Sequence, residues 1–95
     1  MSVISVVVPV FNEQHNIGPL IDKLQDQFFE LAPDLEIVFI DDGSTDETWD
    51  QIRRAQDLGP VIRARRLSRN FGKEAAVAAG LGIAQGDAVI VMDGD

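Results

Sequence analysis

Residues 89–95 read Val-Ile-Val-Met-Asp-Gly-Asp: four apolar side chains run straight into two aspartates separated by a glycine. An unbroken apolar, β-branched run of this kind is the signature of a strand buried on both faces of a parallel sheet. Carboxylates placed directly after it stand at the carboxyl lip of the sheet, where open α/β sheets bind ligands. The reading therefore predicts a sheet whose acidic lip is the place of function.

Working outward, residues 3–8, 36–40 and 61–67 form three further apolar, β-branched runs, and the last strand is expected over 88–92. The first and last runs show no polar alternation, so both are expected to be central strands. Three helical patterns lie between the four runs. Ile17, Leu20, Ile21, Leu24, Phe28 and Leu31 recur at i, i+3, i+4 and i+7 and form one apolar face. The second helix is expected to begin at Ser44-Thr45-Asp46-Glu47, with Ser44 as cap and Glu47 reaching back to it, Trp49, Ile52 and Ala55 facing inward, and Leu58-Gly59-Pro60 as the stop. In the third, over 73–84, Ala76, Gly80 and Ala84 recur every four positions and allow close approach to a sheet. The order β-α-β-α-β-α-β with right-handed crossovers predicts an α/β fold: a doubly wound, mostly parallel, Rossmann-like sheet.

The chain has 95 residues, enough for one domain, and its composition is that of a globular protein, with 45% hydrophobic and 25% charged residues. Its net charge of −8 speaks against nucleic acid or an anionic membrane surface as the main partner. The charge is unevenly spread, since seven of the eight basic residues fall between positions 53 and 73. Much of that cluster reads equally well as a solvated helix end and strand edge. Cysteine is absent, which excludes disulfide and thiol chemistry and fits a cytoplasmic setting. The apolar N-terminus lacks a basic leader and meets Pro9, so it reads as a strand and not a signal peptide. No run approaches the roughly 20 apolar residues of a membrane span, so any anchor is expected outside these residues.

Three strand ends carry polar clusters. After the first run come Pro9, Phe11 and Glu13: an apolar shelf for a planar base with an acceptor for a polar N–H, or simply a strand breaker followed by a helix start. After the second come Asp41 and Asp42, two carboxylates where Ser44 already serves as a cap. One can complement a helix dipole; the other suits the N–H of a uracil- or guanine-type base, or ribose hydroxyls. After the fourth, Asp93 and Asp95 flank a glycine and suit a hard divalent cation that completes its shell with phosphate oxygens. Neither GxGxxG nor GxxxxGK[ST] follows any strand, so a diphosphate is expected to be held through a metal.

Taken in order, residues 8–13 (VPVFNE), 40–46 (IDDGSTD), 67–73 (LSRNFGK) and 92–95 (MDGD) resemble the motifs of family-2 glycosyltransferases. The likeness is to the polyprenyl-phosphate branch, which includes dolichyl-phosphate mannosyltransferase and bacterial undecaprenyl-phosphate sugar transferases. It implies a GT-A fold and an inverting transfer from a nucleotide-diphosphate sugar to a polyprenyl phosphate, with Mg²⁺ or Mn²⁺ as cofactor. It implies nucleotide contacts at Pro9, Phe11, Glu13, Ile40, Asp42 and Gly94, and metal contacts at Asp93 and Asp95. Phe11 stands where tyrosine is common, which keeps a stacking face and loses a hydroxyl. The segment with Arg69 and Lys73 points to the lipid-phosphate branch, and these two cations are candidates for the diphosphate or the acceptor phosphate; the alternative is that Asn70 caps the third helix and both merely decorate it.

On this reading residues 1–95 form the nucleotide-sugar-binding N-terminal part of a longer enzyme of envelope glycan synthesis, working at the cytoplasmic face of a membrane and truncated after the Asp-x-Asp. This piece alone is expected to be inactive. His15, the one histidine, reads as a helix-start residue and no catalytic residue is assigned. Transfer to a sugar hydroxyl in polysaccharide synthesis, or a nucleotide-binding module without catalysis, are the competing readings.

Overall fold

A computed structural model describes residues 3–28, 34–57 and 61–93. The elements alternate: β1 (Ile4–Val10), α1 (Ile17–Phe28), β2 (Leu35–Asp41), α2 (Thr48–Gln56), β3 (Val61–Arg66), α3 (Lys73–Ile83) and β4 (Ala88–Val91). The strands form one parallel sheet in the order β3-β2-β1-β4. Strand order therefore reverses at β1, and the crevice of this doubly wound sheet opens beyond the carboxyl ends of β1 and β4.

Alternation along the strands sends side chains to two separate cores. Val6, Val8, Val10, Ile37 and Phe39 pack with Ile17, Ile21 and Leu24 of α1 and Ile52 of α2. Val7, Val38 and Ile40 meet Ala76 of α3 on the other face. The small-residue face of α3 does what its spacing predicts, for a Cβ added to Gly80 would lie 2.3 Å from a methyl of Val7. Leu31 and the Leu58-Gly59-Pro60 stop lie outside the described residues.

Three expectations are corrected. The first strand runs through Pro9, which pairs in register with Ile40. The carbonyl of Val7 accepts from Met92 on the β4 side and that of Val10 from Asp42 on the β2 side, so alternation turns Pro9 toward β4. The β4 ladder stops at Val7–Val91, and the missing proline N–H leaves no ladder bond broken. Among the described residues the fourth strand lies at the border of the sheet where a central strand is expected: it pairs with β1 alone there, and Val89, Ile90 and Val91 are 37–45% exposed. The second helix starts at Thr48 without a side-chain cap from Glu47, because Ser44 is committed elsewhere.

Candidate functional site

The loops after β1 and β2 are zipped together. Asn12, in the left-handed region at φ 52° that asparagine tolerates, accepts from the Thr45 amide at 2.8 Å, and its own amide donates to Ser44 Oγ at 2.8 Å. The Glu13 amide donates to Thr48 Oγ1 at 2.8 Å, and Gln14 Oε1 accepts from the Glu47 amide at 2.9 Å. Ser44 thus serves the neighbouring loop, which moves the helix start four residues on. Partial burial pushes the Asp46 carboxyl up, but bonds from the Thr48 hydroxyl and amide and from the Gln14 amide outweigh it and hold it below the usual range.

Asp41 and Asp42 follow strand parity onto opposite faces. Asp41 is fully buried, accepts from the Ser44 amide at 2.9 Å through Oδ1, and has its Oδ2 without a hydrogen-bond partner, 3.8 Å from Arg66 Nε. Asp42 turns toward α3 and accepts from the amides of Phe71 at 2.9 Å and Gly72 at 3.1 Å. Gly43, at φ 75°, lets the segment 69–70 lie directly upon it: an added Cβ would come within 2.3 Å of the Arg69 carbonyl carbon. Gly72, at φ 100°, then opens α3 in place of the Asn70 cap of the alternative reading, and the ammonium of the next residue, Lys73, pairs with Asp93 at the end of β4. Asp42 and Asp93 are therefore joined through the first residues of α3. That pair is half-exposed, and such pairs contribute little stability; its meaning is positional.

Phe11 presents a ring that is 42% exposed at the end of β1. Pro9 is buried in the strand and Ile40 is fully buried beneath α3. The carboxylate of Glu13 accepts from the Asn16 side chain. Arg69 lies over the ring of Phe71, 4.6 Å from its centroid. Gly94 and Asp95 lie outside the described residues. Asp93 is an exposed hard-oxygen donor whose one ion-pair partner among the described residues is Lys73. This donor fits a divalent cation that takes one or two protein carboxylates and fills its shell from a substrate.

The loop anchor on Asp42 and the zip through Asn12 and Thr48 were not read from the sequence. Their signal was the density of Asn, Ser, Thr and Asp over 12–16 and 44–48, which marks side-chain bonding to backbone. A second unread network lies at the opposite, amino edge. Glu36 accepts there from Ser5 Oγ, from Arg63 Nε and from the Gln85 amide at 3.0 Å. Burial raises the Glu36 carboxyl, and these bonds together with the Arg63 charge more than reverse the effect, leaving it below the usual range.

Residues 5–95 match the family described as Glycosyl transferase family 2. The chain belongs to this family. It is 50% identical over 93 residues to the bactoprenol glucosyl transferase of Shigella phage SfV, covering 97% of this chain and 30% of that protein. It is 39% identical over 93 residues to the dodecaprenyl-phosphate galacturonate synthase of Rhizobium johnstonii, covering 97% and 28%. Among solved structures, the mannosyltransferase PcManGT from Pyrobaculum calidifontis in complex with GDP-Man and Mn²⁺ superposes with a TM-score of 0.81 at 30% identity, covering 97% of this chain and 27% of that one. TarS 1-349 of S. aureus in complex with UDP-GlcNAc gives 0.83 at 30% identity, covering 100% and 27%. These neighbours are glycosyltransferases of the GT-A fold, as the resemblance implies. The chain spans about 30% of the length of the curated relatives it matches. No helix among the described residues is long and apolar enough to cross a membrane.

Proposed function

We propose that this chain is the nucleotide-sugar-binding, N-terminal part of a glycosyltransferase that moves a sugar from a nucleotide-diphosphate sugar to a polyprenyl phosphate, with inversion, at the cytoplasmic face of a membrane. The observation that carries the reading is the line from Asp42 through Gly72 and Lys73 to Asp93 across the carboxyl edge, beside the exposed ring of Phe11. Phe11 offers a stacking face to the base just beyond the strand ends where Pro9 and Ile40 pair in register. Asp42 and Glu13 supply acceptors for base or ribose, and Lys73 brings a cation to the diphosphate. A divalent ion, Mg²⁺ or Mn²⁺, held by Asp93 and Asp95 with Gly94 between them, would act as a Lewis acid on charge developing at the leaving diphosphate.

An oxygen of the acceptor phosphate attacks the anomeric carbon, and the nucleoside diphosphate departs from the opposite side. A phosphate monoester, with its second pKa near 6, is largely dianionic at neutral pH and needs little general-base help. A hydroxyl acceptor would need a base; the exposed His15 lies against Gln14, and such a base is expected beyond Asp95. Identity favours the lipid acceptor. It is higher to relatives named for bactoprenol and dodecaprenyl phosphate than to TarS.

Calorimetry of UDP and GDP, with and without Mn²⁺, tests the donor site. One of the two is expected to bind at least about tenfold more tightly with the ion, and Asp93→Asn is expected to remove that difference. Failure of both nucleotides to bind the folded chain, or binding indifferent to the ion, would overturn the reading.

A further inference from the structure

Lys73 is the first residue of α3, and its ammonium lies on Oδ1 of Asp93, the carboxylate whose oxygens suit a divalent ion. Its root is fixed and its tip is not. Asp42 holds the Gly72 amide, and the Gly72 carbonyl accepts from the Ala76 amide at 3.1 Å in the first turn of the helix. The lysine side chain is 59% exposed and that of Asp93 56%, so the pair stands in solvent where an ion can reach it. Exposed pairs of this kind are weak, and a flexible four-carbon stem lets the ammonium leave without moving the helix.

We propose that Lys73 competes with the divalent ion for Asp93, and so makes binding of the ion depend on the diphosphate that comes with it. The ion and the ammonium are cations drawn to one carboxylate, and holding both there sets like charges side by side. The ammonium therefore leaves when the ion arrives, and the affinity of the ion is lowered by the strength of the pair. Lys73 thus acts before any phosphate is present, on the ligand of the ion. A diphosphate then offers the displaced ammonium a new partner, a step that rests on the proposed function. The pair is broken once whether the ion, the diphosphate or both bind, so the ligand that breaks it spares the other that cost and the two bind cooperatively.

Mn²⁺ titrated into the chain without nucleotide, followed by the electron spin resonance of the unbound ion, tests the competition. Lys73→Gln is expected to bind Mn²⁺ about two- to fivefold more tightly than wild type, the factor an exposed pair is worth. Lys73→Arg, which keeps a pairing cation, and Arg65→Gln, which removes one positive charge from the β3 border, are expected to bind it as wild type does. The gain in nucleotide affinity that Mn²⁺ brings is expected to shrink by the same factor in Lys73→Gln. The competition is overturned if Lys73→Gln binds Mn²⁺ no more tightly than wild type, if Lys73→Arg or Arg65→Gln gains as much as it does, or if Mn²⁺ helps the nucleotide equally in Lys73→Gln and wild type. Failure of the wild-type chain to bind either nucleotide would instead sink the donor reading, and the Mn²⁺ titration alone would then decide the competition.

Discussion

Asp42 shows how a residue assigned to a ligand by its position can also hold the fold. Its place after β2 marks it as an acceptor for a ligand, and in the structure it accepts from two backbone amides of the α3 approach. A carboxylate has lone pairs to spare for a ligand N–H or hydroxyl, so both uses are compatible. What the sequence concealed is the need for Gly43, because the segment that lies on it is 26 residues away and its path is a tertiary matter. Glu36 was hidden for a similar reason: it sits inside an apolar run, and its partners Ser5, Arg63 and Gln85 come from three other segments. Its depressed pKa makes it a contributor to stability above the ordinary glutamate value of about 4.3, and that contribution is lost as pH falls through the lower folded value. Glu36→Gln is expected to cost about 1–3 kcal/mol at pH 7 and to flatten the acid limb. Urea midpoints at pH 7 and pH 4 check both.

At the scale of elements, strands and helices were legible from period alone, since central parallel strands carry unbroken apolar runs and α1 a full helical stripe. The misplaced start of α2 came from reading Ser44 locally when its hydroxyl is taken by Asn12 across the sheet edge. Helix α3 was read from its small residues, and the structure separates two of them. Gly80 lies against Val7 and Ile40, whereas an added Cβ at Gly82 meets nothing within 4 Å. Gly80→Ala is accordingly expected to destabilise by about 1–3 kcal/mol through overpacking. Gly82→Ala is expected to stabilise by up to about 1 kcal/mol through helix propensity. Opposite shifts of the urea midpoint check the pair, and equal shifts would contradict the seating of α3 on the sheet.

For the whole molecule, the two borders of the sheet differ. The β3 border carries Arg63, Arg65 and Arg66, a common defence of an exposed strand. Among the described residues the β4 border is Ala-Val-Ile-Val, with apolar side chains exposed on both faces. Sedimentation of the chain is expected to show concentration-dependent association beyond the 10.4 kDa monomer, and Val89→Lys is expected to suppress it; a monomer at every concentration would contradict this. The sheet thus has a one-way frontier. Whatever strand joins it, from another copy or from any other source, is turned away by the arginine side and admitted beside β4, and so comes to lie next to the crevice where Asp93 meets Lys73.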